Sequence, residues 1–187
     1  LGSVEEANAL AIRAVNDYQH IVAATLGLGG GMAGVSASVA VTVFDGNTRA
    51  SVEGAGSLRD VADIRVETQV NNTAASAAAG IAAGMGAVNA GAAVAINKSL
   101  VETFIAQGVS SGGSVRTPNI TLNALVNSDA KAFTLGVAGG AVAVGAAVAL
   151  AKTAPTVHTY IGAAPDADQF VTPGAVNAGS IAIQNDV

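Results

Sequence analysis

Three times along this chain an apolar alternation of period two changes phase at a glycine-bearing turn, and that pattern restricts the chain to strands. In the most regular instance Lys131, Phe133, Leu135 and Val137 occupy odd positions. After Gly139-Gly140, Val142, Val144, Ala146, Val148 and Leu150 occupy even ones. Val22, Ala24, Leu26 and Leu28 likewise give way, after Gly29-Gly30-Gly31, to Val35, Ala37, Val39, Val41 and Val43. The remaining instance turns near Gly86, from Ile81 and Met85 to Val88, Ala90, Ala92, Val94 and Ile96. A helix would require apolar recurrence at three and four residues. Two geometries satisfy the flip: a two-residue hairpin, which would set Val137 opposite Val142, or a tight corner of a coiled chain.

The same unit recurs at about 55 residues. Val15-Asn16 answers Val70-Asn71 and Val126-Asn127, Gly34 answers Gly91 and Gly145, Val39 answers Val94 and Val148, and Val52 answers Ile105 and Ile161. Gly56-Ser57-Leu58 similarly answers Gly113-Ser114-Val115. Residues 1–187 therefore read as one repetitive domain with approximate repeats 17–71, 72–127 and 128–187 and a partial repeat at 1–16. The expected fold is all-β, an elongated β-solenoid of the parallel β-helix kind with about three repeats. The alternative is a stack of antiparallel β-hairpins.

Between the bulky positions lie small ones, as in Ala132, Thr134, Gly136, Ala138, Ala141, Ala143, Gly145 and Ala147. Strands with one wet face alternate apolar and polar residues, and these do not. The small face is expected to meet another sheet or repeat at close range. Composition agrees, because aromatic residues make up only 3% of the chain and charged ones 11%. After each run comes a Thr-centred strand: Thr48 to Val52, Val101 to Ile105, and Val157 to Ile161. Further strands follow at Asp63 to Val70 and Asn119 to Val126.

Ser76 to Asn97 and Ala132 to Ala151 are uncharged and about as long as a membrane-spanning helix. Ala and Gly drive helix insertion weakly and no Trp or Tyr belt flanks these segments, so no membrane insertion is expected. A helix over Thr73 to Ala83 competes on Ala propensity, but its counterpart around Phe133 to Val137 suits a strand better.

The net charge of -5 with scattered basic residues points away from nucleic acid. The chain has no cysteine, so neither a disulfide nor a thiolate metal site is available. His20 and His158 lie at non-equivalent places in the repeat and provide no metal-ligand spacing. Asp45-Gly46-Asn47 and Asp166-Ala167-Asp168 read as turns rather than calcium loops, which need six to eight oxygens. No nucleophile elbow or phosphate-binding loop stands in its required strand-to-helix context. The expectation is a non-enzyme without a cofactor. No secretory signal is evident at the start, and the chain reads as a segment of a longer one.

Ala92-Ala93-Val94-Ala95-Ile96, Thr103-Phe104-Ile105 and Gly113-Ser114-Val115, with the counterparts Ala146 to Leu150 and Thr159-Tyr160-Ile161, resemble the repeats of large bacterial filamentous-haemagglutinin-like and leukotoxin-like exoproteins. The resemblance covers nearly the whole chain. It implies a structural stalk or fibre-forming segment of a secreted or surface-displayed adhesin, of the type V secretion kind. Its partners would be neighbouring repeats of a parent chain, further copies end to end, or a host glycan or protein. The alternative is a receptor- or carbohydrate-binding module, with Thr103, Phe104, Thr159 and Tyr160 as the surface candidates.

Overall fold

The computed structural model describes residues 3–54, 57–106, 109–113, 116–163 and 176–187. The chain is all-β, with three parallel sheets. The first sheet is short and holds β1 (Val4–Glu5), β4 (Ser57–Arg59) and β7 (Ser110–Ser111). The second runs in the order β11 (Ser180–Asp186), β8 (Asn119–Gly139), β5 (Asp63–Ala83), β2 (Ala9–Gly30). The third pairs β3 (Ala33–Val52) with β6 (Gly86–Ala106), and β9 (Val142–Thr153) and β10 (Thr156–Gly162) lie in tandem along the far side of β6.

Every pairing between these strands is parallel. The chain leaves the second sheet at each glycine turn, enters the third, passes the first, and returns to the second beside its earlier strand. The turns at Gly31-Met32, Gly84-Met85 and Gly140-Ala141 are thus corners between sheets and not hairpins, which removes the antiparallel alternative. Val137 and Val142 stand on different sheets. Thr73 to Ala83 lies within β5, so strand period prevails over the local helix preference of alanine.

The register sharpens the repeat. Fifty-four residues separate the paired Asp17 and Asn71, 56 separate Asn71 from Asn127, and 61 separate Asn119 from Ser180. Val52, Ile105 and Ile161 stand side by side as their spacing suggests. Others shift: Val39 pairs with Ala92, Gly34 with Ala87, and Val15 with Gln69. A bulge between Tyr18 and Ile21 explains part of this, since it flips the face of everything before it in β2. Asp45-Gly46-Asn47 is not a turn but runs through β3 opposite Lys98, Ser99 and Leu100. The Phe44 ring fills the space beside Gly46, where an added Cβ would lie 2.6 Å from it. Only the last coil splits its long strand, at Pro155, which cannot donate to the ladder. Asp166-Ala167-Asp168, Gly56 and Ser114-Val115 lie outside the described residues.

Side-chain size explains how the second and third sheets converge. The buried face of β5 reads Ile64, Val66, Thr68, Val70, Asn72, Ala74, Ser76, Ala78, Gly80 and Ala82 from one end to the other. At its broad end all three sheets enclose Val52, Val61, Ile64, Val66, Ile105, Ile120 and Leu122. Toward the corners the spacers shrink until the backbones nearly touch. A Cβ on Gly29 would sit 2.1 Å from the Val35 carbonyl oxygen, and one on Gly34 would sit 2.4 Å from that of Ala83. The cross-section is a wedge with a thick apolar base and a thin blade.

Candidate functional surface

Between base and blade the buried face carries polar groups, several of which pair with one another, whereas Asn16 Oδ1 and Ser128 Oγ there, and Ser36 Oγ, Ser38 Oγ and Asn89 Oδ1 in the blade, are buried without a hydrogen-bond partner. Asn97 donates to Asn72 Oδ1 at 2.7 Å and to the Asp129 carbonyl at 2.9 Å. Asn72 donates to Ser99 Oγ at 3.0 Å, and Ser99 donates to Asn97 Oδ1 at 3.2 Å. Ser76 and Thr42 form a similar pair at 2.8 Å. Such a network is costly to leave half satisfied and fixes the stagger between the two sheets.

The register brings the four sequence-derived candidates together in adjacent rungs: Thr103 beside Thr159 and Phe104 beside Tyr160. Consecutive strand residues point to opposite faces, so the two rungs cannot make one surface. Thr103 is completely buried on the inner face, where it donates to Thr68 Oγ1 at 2.7 Å. Thr159 donates to Asn185 at 2.5 Å. Phe104 points outward yet is only 2% exposed, because Tyr160 stacks on it with ring centroids 4.7 Å apart and the Arg49 guanidinium lies 4.5 Å from its centroid. Tyr160 is half-buried, and burial, followed by the nearby Glu102 carboxylate, raises its hydroxyl above the ordinary pKa. The opposing influence of Arg49 is smaller. A ligand arriving from solvent meets Tyr160, not Phe104 or Thr103.

At the broad end Glu6, Asn8, Asp60 and Arg116 line a recess of about 330 Å³. Arg116 donates from its backbone to Asp60 at 3.0 Å and from its guanidinium to Asn8 at 3.1 Å. Glu6 and Asp60 are both left-handed, with φ of 55° and 54°, as equivalent corners of successive coils. Among the described residues no group of three or more His, Asp or Glu side chains is placed to hold a metal ion.

The largest unusual surface is one that residue types alone did not reveal. The bulky members of each alternation face outward. Leu26 is 66% exposed, Val39 62% and Val148 64%, while Ala40 between the valines of β3 is 1% exposed. On β5 the outward face runs from Asp63, Arg65 and Glu67 to Ala77, Ala79 and Ile81 as the inward face runs from Ile64 to Ala82. Side-chain bulk therefore falls along the inner face as the outer face changes from charged to apolar. No family model, no curated protein and no solved structure matches the chain.

Proposed function

We propose that the chain is a structural stalk or fibre-forming segment in which coils of a β-solenoid stack along one axis. The observation that carries this reading is the state of the two ends. β2 and β3 at one end, and β9 and β10 together with β11 and the part of β8 that β11 leaves uncovered at the other, present long parallel edges in the register of the central strands. Further coils of the same kind would pair those edges, which exposed long strands otherwise leave open to association. Strands of about 20 residues reach ~70 Å, whereas four rungs span only ~15 Å, so this segment is a plate across the axis and length comes from added coils. The resemblance to filamentous-haemagglutinin-like and leukotoxin-like exoproteins supports a secreted or surface-displayed setting in a bacterium. No catalytic role is proposed.

Duplicating residues 63–118 in tandem tests the reading. One more coil should deepen the particle by about 5 Å in scattering and raise the denaturant midpoint of a single transition. A second, separate transition at lower denaturant would overturn it. A host-glycan or receptor site is a second reading, favoured by the Phe104–Tyr160 stack, whose outer ring lies on edge strand β10. Glycan-array binding lost in Tyr160→Ala, with the fold retained, would support it; no binding by the native chain would exclude it.

A further inference from the structure

We infer that the blade is built to enter the hydrocarbon of a phospholipid bilayer, corners first. The blade is uncharged in all three coils, over residues 21–44, 74–97 and 132–151. Both outer faces of the blade are apolar, with Leu26, Ile81 and Leu135 on one and Val41, Val88 and Val148 on the other. A second copy laid against one sheet would leave the other face and the rim bare. A fluid apolar medium covers all three at once.

Two features argue for lipid in particular. The first is depth. From Lys131 to the corner at Gly140 is about nine residues of strand, ~30 Å, close to the thickness of a bilayer's hydrocarbon core. Lys152, Lys98 and Asp45 bound the other face at about 11 to 13 residues from their corners, ~36–43 Å, and on β5 the nearest charge, Glu67, is about 17 residues from the corner, ~56 Å, so Lys131 sets the shallowest limit. The second is backbone satisfaction, the strongest requirement of the hydrocarbon phase. Corners normally shed their hydrogen bonds to water, but here they bond coil to coil. Gly84 donates to the Gly139 carbonyl at 3.1 Å, Met85 to that of Met32 at 3.1 Å, and Val142 to that of Met85 at 3.1 Å. The opposite end of the wedge carries Glu6, Asp60 and Arg116 and would remain in water.

The inference departs from the sequence-based expectation of no membrane insertion, which weighed only helical spans; no helix among the described residues is long and apolar enough to cross a membrane. Strands meet the same requirement by pairing with one another. The inference rests on the stacking reading for one purpose: the edges β2, β3 and β9, and β8 beyond the residues that β11 covers, must be paired by further coils or copies inside the hydrocarbon.

The chain has no tryptophan, so single Val35→Trp, Val41→Trp and Asn47→Trp variants give unambiguous fluorescence at three outward positions of β3. Each is mixed with phosphatidylcholine vesicles, with and without phosphatidylglycerol, and separated by flotation, and its fold is checked by circular dichroism. Flotation is expected for all three. Bromines deep in the acyl chains should quench Val35→Trp severalfold more than Asn47→Trp, with Val41→Trp between them. A folded protein that stays at the bottom of the gradient, or equal quenching at the three positions, would overturn the inference. So would an oligomer that forms without vesicles and excludes them, which would assign the faces to copies of the chain. None of these outcomes touches the tandem-coil experiment, which is read without lipid.

Discussion

Adjacent glycines in this chain do different jobs, and the distinction is visible only in three dimensions. Gly29 faces inward, where a Cβ would meet the backbone of Val35 at 2.1 Å; Gly30 has nothing within 4 Å of that position. Backbone on the opposing sheet cannot rotate away as a side chain would, so relief requires the sheets to part. Gly29→Ala is expected to cost about 2 kcal/mol, within the usual range for overpacking, while Gly30→Ala stays within about 0.5 kcal/mol of the native chain. Urea denaturation of the two variants checks this, and equal midpoints would contradict the close approach. Only the third glycine of that run, with φ of 124°, is needed for its backbone conformation. The glycine run itself was readable as a turn, but which member bears the contact was not. The same holds for Phe104, where the rung was legible from spacing, yet burial by Arg49 and Tyr160 depends on strands on either side.

Among the elements, the polar residues inside the wedge couple strands that share no ladder. Asn97 on β6 reaches Asn72 on β5 and the Asp129 carbonyl on β8, so one amide ties the third sheet to two strands of the second. Asn97→Ala would strip those partners of their donor without admitting water. A loss of about 2 kcal/mol is expected, and Asn71→Ala, on the exposed ladder between Asp17 and Asn127, should cost well under half of that. Comparable losses would mean that the interior is hydrated. Strand period and the phase flip gave away the long strands, because alternation by two survives any arrangement of the sheets. Register did not follow so directly. The bulge after Tyr18 displaces the first copy, and chance valines and glycines then offered matches such as Val15 with Val70 that lie on opposite faces. Asp45-Gly46-Asn47 carried a turn signal that the long ladder to β6 overrode.

For the molecule as a whole, the decisive property is an inversion of burial along the wedge. At the base large apolar side chains hold three sheets apart and charges face water; at the blade alanine, glycine and serine lie between two sheets and valine and leucine face out. The small face was legible as a close contact, since residues of that size leave no other use for a strand surface. Where the bulky face goes was not, because strands covered on both sides and strands immersed in an apolar medium have the same composition. That orientation underlies the wedge and the lipid reading built on it, and the absence of cysteine makes it directly measurable. Val39→Cys, Ala40→Cys and Val41→Cys are labelled with a small water-soluble maleimide, without lipid, at a concentration where scattering shows single particles. The account predicts rapid labelling at 39 and 41 and at least tenfold slower labelling at 40, since reactivity follows exposure of the thiolate. Rapid labelling at 40 with protection at 39 and 41 would contradict it.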